Sequence, residues 1–168
     1  HPLVNVAPYA SVGEIKYVFT SPNEEDLKDT MTDFYEKFNE YIYGSLSDTL
    51  EGVVVKKLTE KKMIISMAES CTGGLLASKI VNVSGSSVVF KEAIVTYSNE
   101  AKIKYLGVKK DSLETHGAVS EEVAYEMASG LAKATSSDIA VSVTGIAGPT
   151  GETIDKPIGL TYFGLTHK

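Results

Sequence analysis

Met63-Ile64-Ile65-Ser66-Met67-Ala68-Glu69-Ser70-Cys71-Thr72-Gly73-Gly74-Leu75 is the stretch that decides the fold. Residues Met63 to Ala68 form a short apolar run with the length of a buried strand. Glu69 to Gly74 is rich in turn residues, and Leu75 to about Val83 has helical character. A buried strand entering a helix through a tight turn is the unit from which parallel α/β sheets are built.

The flanking sequence repeats that alternation. Upstream, Leu50, Val53, Val54, Lys57 and Leu58 keep helical spacing behind a Ser47/Asp48 cap. Downstream, Val88 to about Tyr97 predicts a strand, and Asn99 to Leu106 a short helix stopped by Gly107. Asp111 to His116 is a further helical turn, and Ser120 caps a helix with Val123, Met127 and Leu131 inside. Asp138 to Val143 is a strand, Thr144 to Lys156 a Gly/Pro-rich loop, and Ile158 to Leu165 a final strand. The expected fold class is α/β, a three-layer α/β/α domain over residues 47–168.

Residues 1–46 follow a different pattern. Gly13 to Phe19 alternates polar and apolar residues, which predicts one strand. Asn23 and the acids at 24–26 predict a helix running to about Tyr43, with Leu27, Met31, Phe34 and Phe38 on one face and Gly44 ending it. One strand and one helix bury too little to form a core alone. The expected organisation is a small N-terminal α+β (KH-like) module fragment of acidic character, followed by the larger domain.

Charge marks the same division. Residues 1–50 carry 3 Lys against 9 acids, a net of −6, and residues 51–168 carry 13 of each sign. All 16 basic residues are lysines. So acidic a surface repels phosphate backbones, so nucleic-acid binding is not expected. At 168 residues, with 43% hydrophobic and 23% charged residues, the chain has an ordinary globular composition. No apolar run reaches the roughly 20 residues needed to span a membrane, so no membrane partner is expected. The single cysteine, Cys71, excludes an intrachain disulfide and argues against a cysteine-based metal site. These features fit a reducing, cytoplasmic compartment. The start, His1-Pro2-Leu3-Val4, has no signal-peptide pattern and reads as a cut inside a longer protein.

Three segments have the residues and placement for chemistry. Glu69 to Gly74 lies where ligands collect in open α/β sheets, at the carboxyl end of a strand and the amino end of a helix. Ser70 is placed there as a nucleophile or ligand, and Gly73 and Gly74 allow close approach to backbone donors. The alternative is that Ser70 or Thr72 simply caps the helix. Gly-x-Ser-x-Gly, Ser-x-x-Lys, the P-loop and the dinucleotide fingerprint are all absent. The second segment is Tyr97-Ser98-Asn99-Glu100-Ala101-Lys102. A serine hydroxyl needs a base, and His1, His116 and His167 are poorly set for that work, which makes a partly buried lysine the better candidate. A packed tyrosine beside a solvated lysine is the plainer alternative. The third is Thr144-Gly145-Ile146-Ala147-Gly148-Pro149 followed by Lys156-Pro157-Ile158-Gly159, a strand-end loop suited to wrapping a small ligand or simply an ordinary connection. Cys71 is either a reactive thiol at a helix start or a small packed residue.

Together with His116-Gly117-Ala118-Val119-Ser120, these segments resemble the C-terminal domain of the CinA family, a domain also found alone as PncC, the nicotinamide mononucleotide amidohydrolase. The resemblance runs from about Leu50 to Leu165, and residues 8–15 look like the linker module of full-length CinA. It implies a hydrolase of the pyridine nucleotide cycle that deamidates a small-molecule nucleotide substrate without metal or organic cofactor. It implies Ser70 as nucleophile, Lys102 as general base and Tyr97 as an aid to proton movement. Thr72, Gly73 and Gly74 would surround the oxyanion and phosphate, and Thr144 and Gly145 would hold the substrate. A homo-oligomer, a dimer, is the expected assembly. Family members usually continue past the last strand into a segment carrying an arginine that serves the site; this chain has no arginine. The alternative is a non-catalytic, partner-binding module of a competence- or damage-inducible protein.

Overall fold

A computed structural model describes residues 2–168, and its contacts divide the chain into two compact units, up to Val53 and Val54–Lys168. The first unit is a hairpin and a helix. Strands β1 (Asn5–Ser11) and β2 (Glu14–Thr20) pair antiparallel around Gly13, which takes φ +83° in the turn. The predicted lone strand is therefore the second half of a hairpin. β1 was hidden by Pro8, which suits a strand only where an amide is not needed for pairing, as in a two-stranded sheet.

Helix α1 (Glu24–Phe38) starts at Asn23, whose side chain accepts hydrogen bonds from the amides of Glu25 and Asp26. It ends five residues before the expected Tyr43, where residues 39–41 tighten into a 3₁₀ turn. Phe34 packs its ring 4.9 Å from Tyr17, 5.1 Å from Phe19 and 4.7 Å from Phe38. No residue of α1 is buried, so this aromatic cluster is the unit's apolar centre.

The second unit holds a four-stranded mixed sheet in the order β4-β3-β5-β6. Its strands are β3 (Ile65–Glu69), β4 (Phe90–Val95), β5 (Ile139–Gly145) and β6 (Thr161–His167). β3 is parallel to both neighbours, and β6 runs antiparallel to β5. The helices are α2 (Leu50–Lys61), within which the two units divide, α3 (Leu75–Val81), α4 (Asn99–Leu106), α5 (Lys110–His116) and α6 (Glu121–Thr135). Thr49, not Ser47 or Asp48, caps α2: its hydroxyl accepts from the amide of Gly52 at 3.1 Å, while the Asp48 carboxylate turns back to Ser45.

Strand alternation sorts the sheet into two unlike faces. Ile65 and Met67 join Val55, Leu58, Ile80 and Val89 in one core, under α2 and α3. Ala68 and Ala140 join Leu106, Val123, Met127 and Leu131 in the other, under α4 and α6. These two cores with the sheet between them are the three expected layers. Small residues on the second face let α6 lie close. A Cβ on Gly164 would fall 2.2 Å from the Ala124 carbonyl oxygen, and one on Gly130 of α6 only 1.7 Å from that of Leu106 at the end of α4.

Gly130→Ala tests that packing. In an exposed helix the change would gain about 1 kcal/mol of propensity. Here the obstructing atom is backbone, so the α4–α6 contact must open, and unfolding in urea should show a net loss of about 1–3 kcal/mol.

Candidate active site

The site forms where β3 and β4 end. β3 is buried along its whole length, and its last residue, Glu69, is fully buried. The chain then turns sharply. The Ser70 amide donates to the Val143 carbonyl of β5 at 3.0 Å, and the Thr96 amide donates to the Glu69 carbonyl at 2.8 Å. Ser70 is thereby fixed against both neighbouring strands.

Glu69 organises the turn. Its carboxylate accepts from the amides of Gly74 (3.0 Å), Leu76 (3.1 Å) and Ala77 (2.8 Å), the open donors at the start of α3. Burial by itself would raise the pKa of this group. The donors around it outweigh burial and hold it below the usual carboxylate value. The Thr72 hydroxyl faces the same carboxylate without closing a hydrogen bond of normal geometry, and its oxygen has no other partner. Sequence reasoning missed Glu69. Its signal was an acid at the end of a buried strand, just before the Gly-Gly start of a helix.

Lys102 reaches the turn from the first half of α4, where Ser98 caps the helix by accepting from the Ala101 amide at 3.1 Å. The residue is 1% exposed. Its Nζ donates to Ser70 Oγ at 3.0 Å, to the Thr96 carbonyl at 2.8 Å and to the Tyr97 carbonyl at 3.1 Å. Among the described residues no carboxylate pairs with it. Burial lowers its pKa below the ordinary lysine value, opposed only in part by the neighbouring Cys71.

The structure thus brings Ser70 and Lys102 together and distributes the other predicted site residues differently. Tyr97 gives Lys102 its carbonyl, but the residue is 74% exposed, so its ring supplies little of the amine's burial. Thr96 and Tyr97 point to opposite sides, as alternation along an extended chain requires. Gly73 and Gly74 adopt φ +60° and +105°, as the turn demands. Their amides are already used: Gly73 donates to the Ser70 carbonyl and Gly74 to Glu69. The unpartnered amides beside Ser70 are those of Cys71 and Thr72, for which no acceptor occurs among the described residues. Thr144 is buried and donates its hydroxyl to the Ala118 carbonyl at 2.8 Å, so it ties β5 to the α5–α6 turn and is not open to a ligand. Gly145 is needed for close approach, since a Cβ there would fall 3.0 Å from Cys71 Sγ and 2.9 Å from the Leu160 carbonyl oxygen.

The histidines stay apart from this arrangement. His116 ends α5 with Nδ1 3.6 Å from Glu122, His167 ends β6, and His1 lies outside the described residues. Among the described residues no group of three or more His, Cys, Asp or Glu is placed to hold a metal ion, and no helix is long and apolar enough to cross a membrane.

Comparison with known proteins gives a consistent result. The family model described as the CinA C-terminal domain matches residues 47–168. A CinA-like protein of Kosmotoga olearia is 54% identical over 166 residues, which cover 95% of this chain and 40% of that protein. The chain therefore spans about two-fifths of the length of that curated relative. Among solved structures, the competence/damage inducible protein CihA of Agrobacterium tumefaciens superposes with a TM-score of 0.70 at 41% identity, covering 71% of this chain and 72% of that one. A competence-damaged protein (CinA) superfamily protein of Escherichia coli gives 0.64 at 32% identity, covering 78% and 85%.

Glu69→Gln isolates the buried carboxylate. It keeps the shape of the side chain but removes the charge that the α3 amides stabilise, so at pH 7 it should cost about 0.5–2 kcal/mol, the range of a lost cap. The folded-state pKa of Glu69 lies below its unfolded value, so the wild-type advantage is complete above the unfolded pKa. It should fade as pH falls through the lowered folded value. Urea midpoints of both proteins between pH 7 and pH 3 measure that convergence.

Proposed function

The chain belongs to the CinA family through its C-terminal domain, and on that premise we propose that it is an amidohydrolase that deamidates nicotinamide mononucleotide to nicotinic acid mononucleotide and ammonia. The observation that carries this reading is the 3.0 Å hydrogen bond between the buried Lys102 amine and the Ser70 hydroxyl. A serine nucleophile needs a neutral base within such reach, and a lysine becomes one when burial disfavours its charge.

The surroundings of Lys102 support the role. The Thr96 and Tyr97 carbonyls accept two of its N–H bonds. Once the amine is neutral, its lone pair takes the third direction, towards Ser70 Oγ. Ser70 Oγ attacks the carboxamide carbon and gives its proton to Lys102. The oxygen of the tetrahedral intermediate is met by the amides of Cys71 and Thr72; of the Thr72, Gly73 and Gly74 amides expected from sequence, the two glycine amides are engaged within the turn. Lys102 returns the proton to the departing nitrogen, and ammonia leaves an acyl-serine. Water, deprotonated by Lys102, then cleaves the ester, releases the carboxylate product and restores the Ser70 hydroxyl. Because Glu69 fills the start of α3, the substrate phosphate binds elsewhere.

Ammonia release from nicotinamide mononucleotide tests the proposal. Ser70→Ala should lower turnover by several orders of magnitude, at a stability cost of only about 1–3 kcal/mol for the unpaired Lys102 donor. Lys102→Arg should be equally inactive, because a guanidinium stays protonated. For the wild type, kcat/KM should rise with pH along a limb whose midpoint lies below the ordinary lysine value, since Lys102 must be neutral to act and its pKa is lowered. A folded wild-type chain that releases no ammonia would favour the partner-binding alternative, and an active Ser70→Ala variant would remove Ser70 from the mechanism.

A further inference from the structure

Four consecutive carbonyls, from His116, the last residue of α5, to Val119, are each answered by a side chain. Ser120 Oγ donates to Gly117 at 2.9 Å and Thr144 Oγ1 to Ala118 at 2.8 Å. Lys156 Nζ donates to both outer members, His116 and Val119, the latter at 2.7 Å. A helix end carries partial negative charge on its open carbonyls, so a cation suits this position. Gly117 makes room for it: its φ is +74°, and a Cβ there would come within 3.3 Å of Lys156 Nζ.

Lys156 belongs to the long loop between β5 and β6. The loop leaves β5 at Gly145, against Cys71, the residue that follows Ser70 in the turn. Its base is closed by the Ile146 amide on the Leu160 carbonyl (3.0 Å) and the Gly159 amide on the Ile146 carbonyl (2.8 Å). Its far end is a turn in which Thr153 and Lys156 exchange backbone hydrogen bonds. Little apolar burial fixes that end, since Ile154 is fully exposed and Pro157 and Ile158 line an open hollow with Glu152 and Thr153. Among the described residues, every hydrogen bond from residues 147–158 to the domain outside the loop is made by the Lys156 ammonium.

We infer that Lys156 is a positioning residue: its ammonium staples the 146–160 loop to the α5–α6 turn, so that the loop stands as a fixed wall beside Ser70. The consequence for turnover rests on the amidase reading above, whereas the staple rests on its hydrogen bonds alone. Releasing it leaves Ser70 and Lys102 in place, so substrate affinity should change and the chemical step should not.

Lys156→Met and Lys156→Arg, compared with wild type in two assays, decide the matter. Cleavage after Glu152 by a glutamate-specific protease, followed by mass spectrometry, reports opening of the loop without reference to activity. It should become at least about tenfold faster in Lys156→Met, which loses both charge-assisted hydrogen bonds. It should return to the wild-type rate in Lys156→Arg, whose fork of donors can still serve both carbonyls. In the ammonia assay, KM should rise about tenfold in Lys156→Met with kcat within about threefold of wild type, and Lys156→Arg should restore KM. Unchanged cleavage in Lys156→Met would overturn the staple, whatever the activity. Faster cleavage with unchanged KM would overturn the positioning role. A wild type without ammonia release would sink the amidase reading, and the cleavage rates would still decide the staple.

Discussion

A carboxylate withdrawn from water is tolerated only where donors surround it, and Glu69 satisfies that constraint with the first amides of α3. This interaction ties the start of α3 back to the end of β3 and so closes the turn from 70 to 74 that carries Ser70. It also keeps the negative charge engaged with the helix. An acid of the same size turned towards Lys102 would hold the amine protonated; here burial sets its direction of shift, against an opposing effect from Cys71. The site therefore separates its two charged groups by giving each its own backbone partners, amides for the acid and carbonyls for the amine.

The second requirement is that Lys102 reach the turn from a different helix. Its reach depends on where α4 lies, and α4 is set by contact with α6. The close approach of Gly130 to the Leu106 carbonyl and the small residues beneath α6 draw these layers together. On the opposite face, bulkier side chains hold α2 and α3 against the sheet. The thin side of the sandwich thus carries Lys102, and the turn between the layers carries Ser70.

Much of this was legible in the sequence, for physical reasons that differ by element. Residues 63–75 announced a buried strand and a helix because apolar run, turn glycines and helix start agree with one another. Ser70 and Lys102 stood out because their segments sit at strand ends, where topology gathers functional groups. The first hairpin strand was lost because Pro8 breaks the strand signal. The Thr49 cap was lost because three neighbouring polar residues can all serve as caps. The fate of the amides was illegible for a deeper reason. Sequence marks the start of a helix but does not say whether its donors face a ligand or one of the chain's own acids, and Glu69 had already taken them. Nor does it reveal backbone carbonyls as partners, such as those of Thr96 and Tyr97 that hold the Lys102 amine.

The parallel pairing of β3 has a consequence for the order of events during synthesis. Ile65 aligns with Phe90 on one side and with Ile139 on the other. The central strand must therefore wait for distant chain before its second edge is covered, and such long-range closures are the slow steps of folding. The Ser70 amide binds Val143, so the serine is not locked in place until that last parallel strand has joined. A nascent chain halted before β5 would hold the serine and the lysine in its sequence without the framework that aligns them. The alignment of Ser70 with Lys102 is thus a late acquisition of this domain, gained when β5 joins the sheet.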